Sequence, residues 1–137
     1  MQEKRIELIL EWYRLLCPSL KPLPKEPCKQ EWRTLLERGE QYFEMVDYYE
    51  AFWLAEHSSF LKGGGRRGWK ADFQWLITPE NMHKVLTERY APPLSALERK
   101  ANRQSFRMIC EAYEEQQGLP PMERRGTWGK LPGSKLM

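Results

Sequence analysis

Between residues 41 and 57 the large apolar side chains Tyr42, Met45, Val46, Tyr49, Phe52 and Trp53 return at steps of three and four. That interval follows the period of an α-helix rather than that of a strand, so it gathers these side chains on one helix face. Sustained alternation of apolar and polar residues occurs nowhere in the 137 residues. The chain is therefore expected to be all-α, a compact bundle of about five to six helices with a flexible basic C-terminal tail. Six Trp, six Tyr and five Phe supply ring systems large enough to fill the core of one domain.

The remaining helices follow from the same periodicity and from its breaks. A first helix over 2–16 carries one stripe of Ile6, Ile9, Leu10, Tyr13 and Leu16 and a second of Leu8, Trp12 and Leu15, which predicts neighbours on two sides. Four prolines in CPSLKPLPKEP end it, because proline cannot continue a helix. A second helix is expected over 29–38, stopped by Gly39 as a C-terminal cap. In the aromatic helix, Asp47, Glu50 and Glu56 fall largely off the apolar face and are expected to meet water. After Gly68, WKADFQWLI reads as a short helix with Trp69, Phe73 and Leu76 on one side, which places Trp69 in the core. Thr78, Pro79 and Glu80 then give good helix-start chemistry. Pro92 and Pro93 interrupt the chain, and Ser95-Ala96-Leu97-Glu98 has the form of a capping box opening a helix that reaches Gln117. Leu97, Ala101, Met108, Ile109, Ala112 and Tyr113 form its expected apolar stripe. Its charges are polarised against the helix dipole, with Arg99, Lys100, Arg103 and Arg107 early and Glu111, Glu114 and Glu115 late. The chain thus divides into a helical module at 1–90, an added helix at 91–117 and a basic tail at 118–137.

A formal charge of +3 is too small to imply nucleic acid by itself, so the distribution of cations has to carry that reading. The apolar runs are short, which excludes a transmembrane helix, and the acid-containing start is not expected to be a signal peptide. A cytoplasmic protein with reduced thiols is the expectation. Cys17, Cys28 and Cys110 form no CxxC pair, and His57 and His83 stand apart from each other and from any metal-binding array. No metal site, cofactor or catalytic set is expected; Asp72 and Glu80 are explained as capping and surface residues.

The stretch GGGRRGWK at 63–70 lacks the spacing of a phosphate-binding P-loop, since Lys70 is followed by Ala71 and no strand precedes the glycines. The glycines are expected to provide a flexible hinge. Lys62, Arg66, Arg67 and Lys70 cluster here around Trp69, and the tail adds Arg124, Arg125, Trp128 and Lys130. Cations interleaved with aromatics suit a nucleic-acid backbone with base stacking; the same cations also suit a solvated surface.

Leu16-Cys17-Pro18-Ser19-Leu20 after an apolar helix, the aromatic helix, Ser59-Phe60-Leu61 before a glycine-rich loop, and GWKADFQWLITPENMHKVLTERY together resemble the C-terminal module of phage and prophage replication proteins of the replisome-organiser or helicase-loader type. The resemblance covers roughly residues 4 to 90. Gly68, Trp69, Lys70, Asp72, Phe73, Trp75, Pro79, Glu80 and Asn81 match its signature, and most of them look like scaffold residues. It implies a non-enzymatic adaptor in phage DNA replication that docks on a replicative helicase or initiator and contacts single-stranded or forked DNA. In such proteins a winged-helix DNA-binding domain often precedes the module, and none is read in these residues. The alternative expectation is a small phage-encoded inhibitor, for example an anti-defence protein, acting by contact with a host or defence protein. No membrane partner is expected.

Overall fold

In a computed structural model, residues 1–25, 28–87, 90 and 93–120 are described. They form α1 (Glu3–Leu16), α2 (Gln30–Glu40), α3 (Met45–Glu56), α4 (Phe73–Ile77), α5 (Pro79–Leu86) and α6 (Ala96–Gln116). No strand occurs among the described residues, so the fold is all-α. None of the helices there is long and apolar enough to cross a membrane.

The aromatic helix is the centre of the molecule. α3 touches α1, α4, α5 and α6, and ten of its twelve residues are buried, so it is packed on all sides rather than on one face. It begins at Met45 instead of near residue 41 because Glu44 and Asp47 cap it reciprocally: the Asp47 carboxylate accepts the Glu44 N–H at 2.6 Å, and the Glu44 carboxylate accepts the Asp47 N–H. Around it the rings meet edge to face. Trp12 lies 5.5 Å from Tyr49 and 5.7 Å from Tyr113, and Tyr13 lies 5.5 Å from Phe52 and 5.3 Å from Phe73. The two stripes of α1 thus face two sets of neighbours, as their spacing predicts, except that Leu15 at the end of the second stripe is left 58% exposed. Each such ring contributes roughly 1.5–3 kcal/mol by leaving water, and the edge-to-face geometry adds about 0.5–1.5 kcal/mol per pair. The proline-rich crossover is tied to this core through the Tyr13 hydroxyl, which donates to the Lys21 carbonyl at 2.5 Å.

Gly39 corrects one expectation. It lies inside α2, which runs on to Glu40, and it is not among the glycines with positive φ. The buried Tyr48 hydroxyl sits directly against its Cα, so a side chain there would collide with it. Close packing, rather than helix termination, explains this glycine.

The carboxylates of α3 correct another. Asp47 and Glu50 are buried instead of solvated, because α6 lies over them. Arg103 approaches both Asp47 and Glu50 at 2.6 Å, and Arg107 reaches Glu44 at 2.8 Å. Further along α6, Glu114 pairs with the buried Arg5 of α1. The polarised charge of α6 therefore has partners inside the molecule: its early arginines meet acids of α3 and its late glutamate meets α1. Coulomb attraction in this partly desolvated seam outweighs the small unfavourable dipole term.

The face of α6 that docks is not the one its apolar spacing suggests. Phe106, Cys110 and Glu114 are buried, with Phe106 5.2 Å from Tyr49 and 5.6 Å from Trp53. Leu97 is 78% exposed, Met108 72% and Ile109 38%, and Ala101 and Ala112 are exposed beside them; Tyr113 alone of that stripe packs against the core. Ser95 caps the helix as predicted, accepting the Glu98 N–H at 3.0 Å. After α6 the chain folds back, with Leu119 buried and the Pro120 carbonyl accepting from Arg5. The segment expected to begin a free tail at 118 is thus packed as far as Pro120.

Candidate nucleic-acid interface

The glycine-rich stretch is a closed loop between α3 and α4. Ser58 is buried and its hydroxyl accepts the Leu61 N–H at 3.2 Å. Gly64 N–H then donates to the Ser59 carbonyl at 2.8 Å, Ala71 N–H donates to the Leu61 carbonyl at 3.0 Å, and Lys62 and Lys70 form an antiparallel bridge. Gly63 takes φ +99°, which side-chain-bearing residues rarely adopt, and a Cβ on Gly64 would stand 2.6 Å from the Ser59 carbonyl oxygen. The glycines therefore permit a tight fold, not the hinge expected from sequence.

Asp72 ends the loop. Its carboxylate accepts the Trp75 N–H at 2.8 Å and caps α4 at Phe73. The helix thus starts four residues later than WKADFQWLI suggests. Trp69 is left outside it and is 39% exposed, a correction to its expected place in the core; Phe73 and Leu76 are buried. Trp69 instead joins a satellite of four rings. Trp69 lies 5.8 Å from Phe60 and 5.2 Å from Trp75, and Tyr90 closes the circuit at 5.6 Å from Phe60 and 5.9 Å from Trp75. Phe60 keeps 46% of its surface exposed.

Around these rings Lys62, Arg66, Arg67 and Lys70 are all exposed. Beside them opens a cleft of about 310 Å³, walled by Trp69 and Trp75. Lys70, Asp72 and Gln74 line it from the loop and α4, and Thr78 and Asn81 from the start of α5. Gln74 is oriented by the Trp32 indole N–H, which donates to its Oε1 at 3.2 Å. Thr78 donates to the Gln74 carbonyl at 2.7 Å. The lining thus combines an aromatic wall, two side-chain amides, the Lys70 ammonium and the Asp72 carboxylate, a set that suits a planar heterocycle with polar edges.

The signature residues separate into two roles. Trp69, Lys70, Asp72, Trp75 and Asn81 converge on the cleft. Phe73 and Pro79 are buried, Gly68 turns the loop with φ +64°, and Glu80 is held by Arg38 at 2.6 Å. Arg124, Arg125, Trp128 and Lys130 lie outside the described residues. Sequence reasoning did not assign Phe60, Tyr90, Gln74 or Asn81 to a common surface, since only loop closure and the α4–α5 corner bring them together.

The thiols offer no comparable site. Burial pushes Cys17 and Cys110 well above the ordinary thiol range, and Cys17 donates to the Phe52 carbonyl at 3.3 Å; a thiolate nucleophile needs the opposite environment. Among the described residues no group of three or more His, Cys, Asp or Glu is placed to hold a metal ion. No family model, curated protein or solved structure matches the chain.

Proposed function

We propose that this protein is a non-enzymatic adaptor of phage DNA replication that docks on a helicase or initiator and contacts single-stranded or forked DNA through the loop at 58–72. One observation carries the reading: exposed Trp69 and Phe60 share a hydrogen-bonded loop with four exposed cations, beside a cleft walled by Trp69 and Trp75 and lined by Lys70, Asp72 and the amides of Gln74 and Asn81. Phosphates meet the cations, and an unpaired base stacks on Trp69, an interaction worth about 1–3 kcal/mol per base. The preformed loop lowers the ordering cost of binding. The resemblance to phage replication modules supplies the setting.

The test is titration of fluorescent single-stranded and forked DNA across a range of salt, with wild type and a variant carrying glutamine at 62, 66, 67 and 70. Loss of four phosphate contacts makes the plot of log affinity against log salt shallower by about 3. Identical affinity and salt slope in the two proteins would remove DNA from the role and leave the loop as a protein-docking face. Capture of purified replicative helicase by the immobilised protein, after nuclease treatment, tests the docking arm separately.

A further inference from the structure

We propose that the outer face of α6 is the interface of a two-fold dimer of this chain, in which two α6 helices pack antiparallel. Leu97, Ala101, Met108 and Ala112 are all exposed and fall within about 60° of one another around the helix. Among the described residues no element covers them, because α6 docks through the opposite side, Phe106 and Cys110.

Their spacing identifies a second copy as the occupant. The steps are four, seven and four residues, which read the same in either direction about the point between Gln104 and Ser105. A two-fold axis at that point sets Leu97 against the other copy's Ala112, and Ala101 against its Met108. Every apolar layer then pairs a large side chain with a small one, the arrangement that lets helices approach closely and interlock. The contact runs for about 22 Å along the helix. Beside the axis Gln104 meets the other copy's Gln104 on one edge and Ser105 meets its counterpart on the other, a polar layer that fixes register.

The flanking charges are self-complementary in the same register. Lys100 and Glu111 lie on one edge of the stripe, both are exposed, and neither forms an ion pair among the described residues. A two-fold brings like edges together, so Lys100 of each copy meets Glu111 of the other with an axial offset of about 3 Å. Two symmetric pairs result. A parallel arrangement would juxtapose Lys100 with Lys100 and Glu111 with Glu111, which like-charge repulsion opposes.

Sedimentation equilibrium of the full chain decides the matter. The expected mass is twice 16.4 kDa at high concentration, falling to the monomer on dilution. Met108→Glu is expected to abolish the dimer, with unchanged circular dichroism because the site is exposed. Lys100→Glu weakens the dimer, and adding Glu111→Lys restores it. A wild-type chain that remains monomeric at every concentration overturns the proposal, as does a dimer that survives Met108→Glu. Failure of the charge exchange to restore association overturns the antiparallel register.

Discussion

Arg103 of α6 and Asp47 of α3 meet at 2.6 Å, the carboxylate wholly buried and the guanidinium about one-quarter exposed. Asp47 also accepts a backbone N–H at the start of its own helix, so a single carboxylate both caps the central helix and anchors the last one. Arg103→Ala leaves Asp47 in the interior without its cation. The expected loss is about 3 kcal/mol, the lower part of the range for breaking one side of a buried pair, read from urea unfolding. Arg103→Lys recovers only part of it, since an ammonium cannot present the same fork of donors to both Asp47 and Glu50.

The same carboxylate sets a pH dependence. Burial, the largest influence, raises Asp47 from 3.8 to about 6, against the opposing pull of Arg103. Between those values the folded protein holds a proton that the unfolded chain has released, so stability falls as pH rises through that window. Relative to Asp47→Asn, wild type should lose on the order of 1–3 kcal/mol from pH 4 to pH 6. Parallel stability curves for the two proteins would contradict the assignment. Glu44 and Glu50 face the same arginines and are common to both proteins, so the difference isolates Asp47.

What could be read from the sequence was what local chemistry decides. Ser95 as the cap of α6, Pro79 at the first turn of α5, and Ile6, Leu8, Ile9, Trp12 and Tyr13 of the α1 stripes act within a few residues, and each takes its expected place. Leu15 is left exposed, and Glu98 accepts from the Ser95 hydroxyl instead of completing a capping box. The Arg103–Asp47 seam joins residues 56 positions apart, and periodicity holds no record of such a pairing; the apolar spacing of α6 pointed to the wrong face because ion pairs and Phe106 determine how it docks. Trp69 illustrates a different limit. Its spacing to Phe73 and Leu76 is helical, yet Asp72 is a strong capping residue and starts the helix after it. Within the candidate interface the cations and tryptophans were visible as a cluster, but the partnership of Trp69 with Phe60 and Tyr90 depends on loop closure.

Gly39 and Tyr48 give a two-residue test of packing. Gly39→Ala drives a methyl group into the Tyr48 hydroxyl, and an overpacked core costs roughly 1–3 kcal/mol, offset in part by alanine's helix preference of about 1 kcal/mol. Among the described residues that hydroxyl has no hydrogen-bond partner. Tyr48→Phe alone should therefore be neutral or stabilising. Once the oxygen is gone, the nearest ring carbons stand 3.4 Å (Phe43) and 3.5 Å (the ring at 48) from the new methyl, ordinary contacts. The double variant is expected to match or exceed wild type in thermal unfolding; simple additivity of the two single changes would show that the clash lies elsewhere.

Gly64 separates the shape of the loop from its charge. Gly64→Ala keeps every cation and every ring, but its Cβ would stand 2.6 Å from the Ser59 carbonyl oxygen, a backbone atom that cannot swing aside. The Gly64-to-Ser59 hydrogen bond has to open, and with it the closure that holds Phe60 beside Trp69. The loop is at the surface, so global stability should fall by no more than about 1 kcal/mol. Faster amide exchange at Gly64 and Ala71 reports the opening directly. If binding relies on a preformed surface, affinity for single-stranded DNA drops while the salt slope stays as in wild type, because the number of phosphate contacts is unchanged. Full affinity with an opened loop would mean that loose electrostatic attraction suffices and that the cleft beside Trp69 has no part in binding.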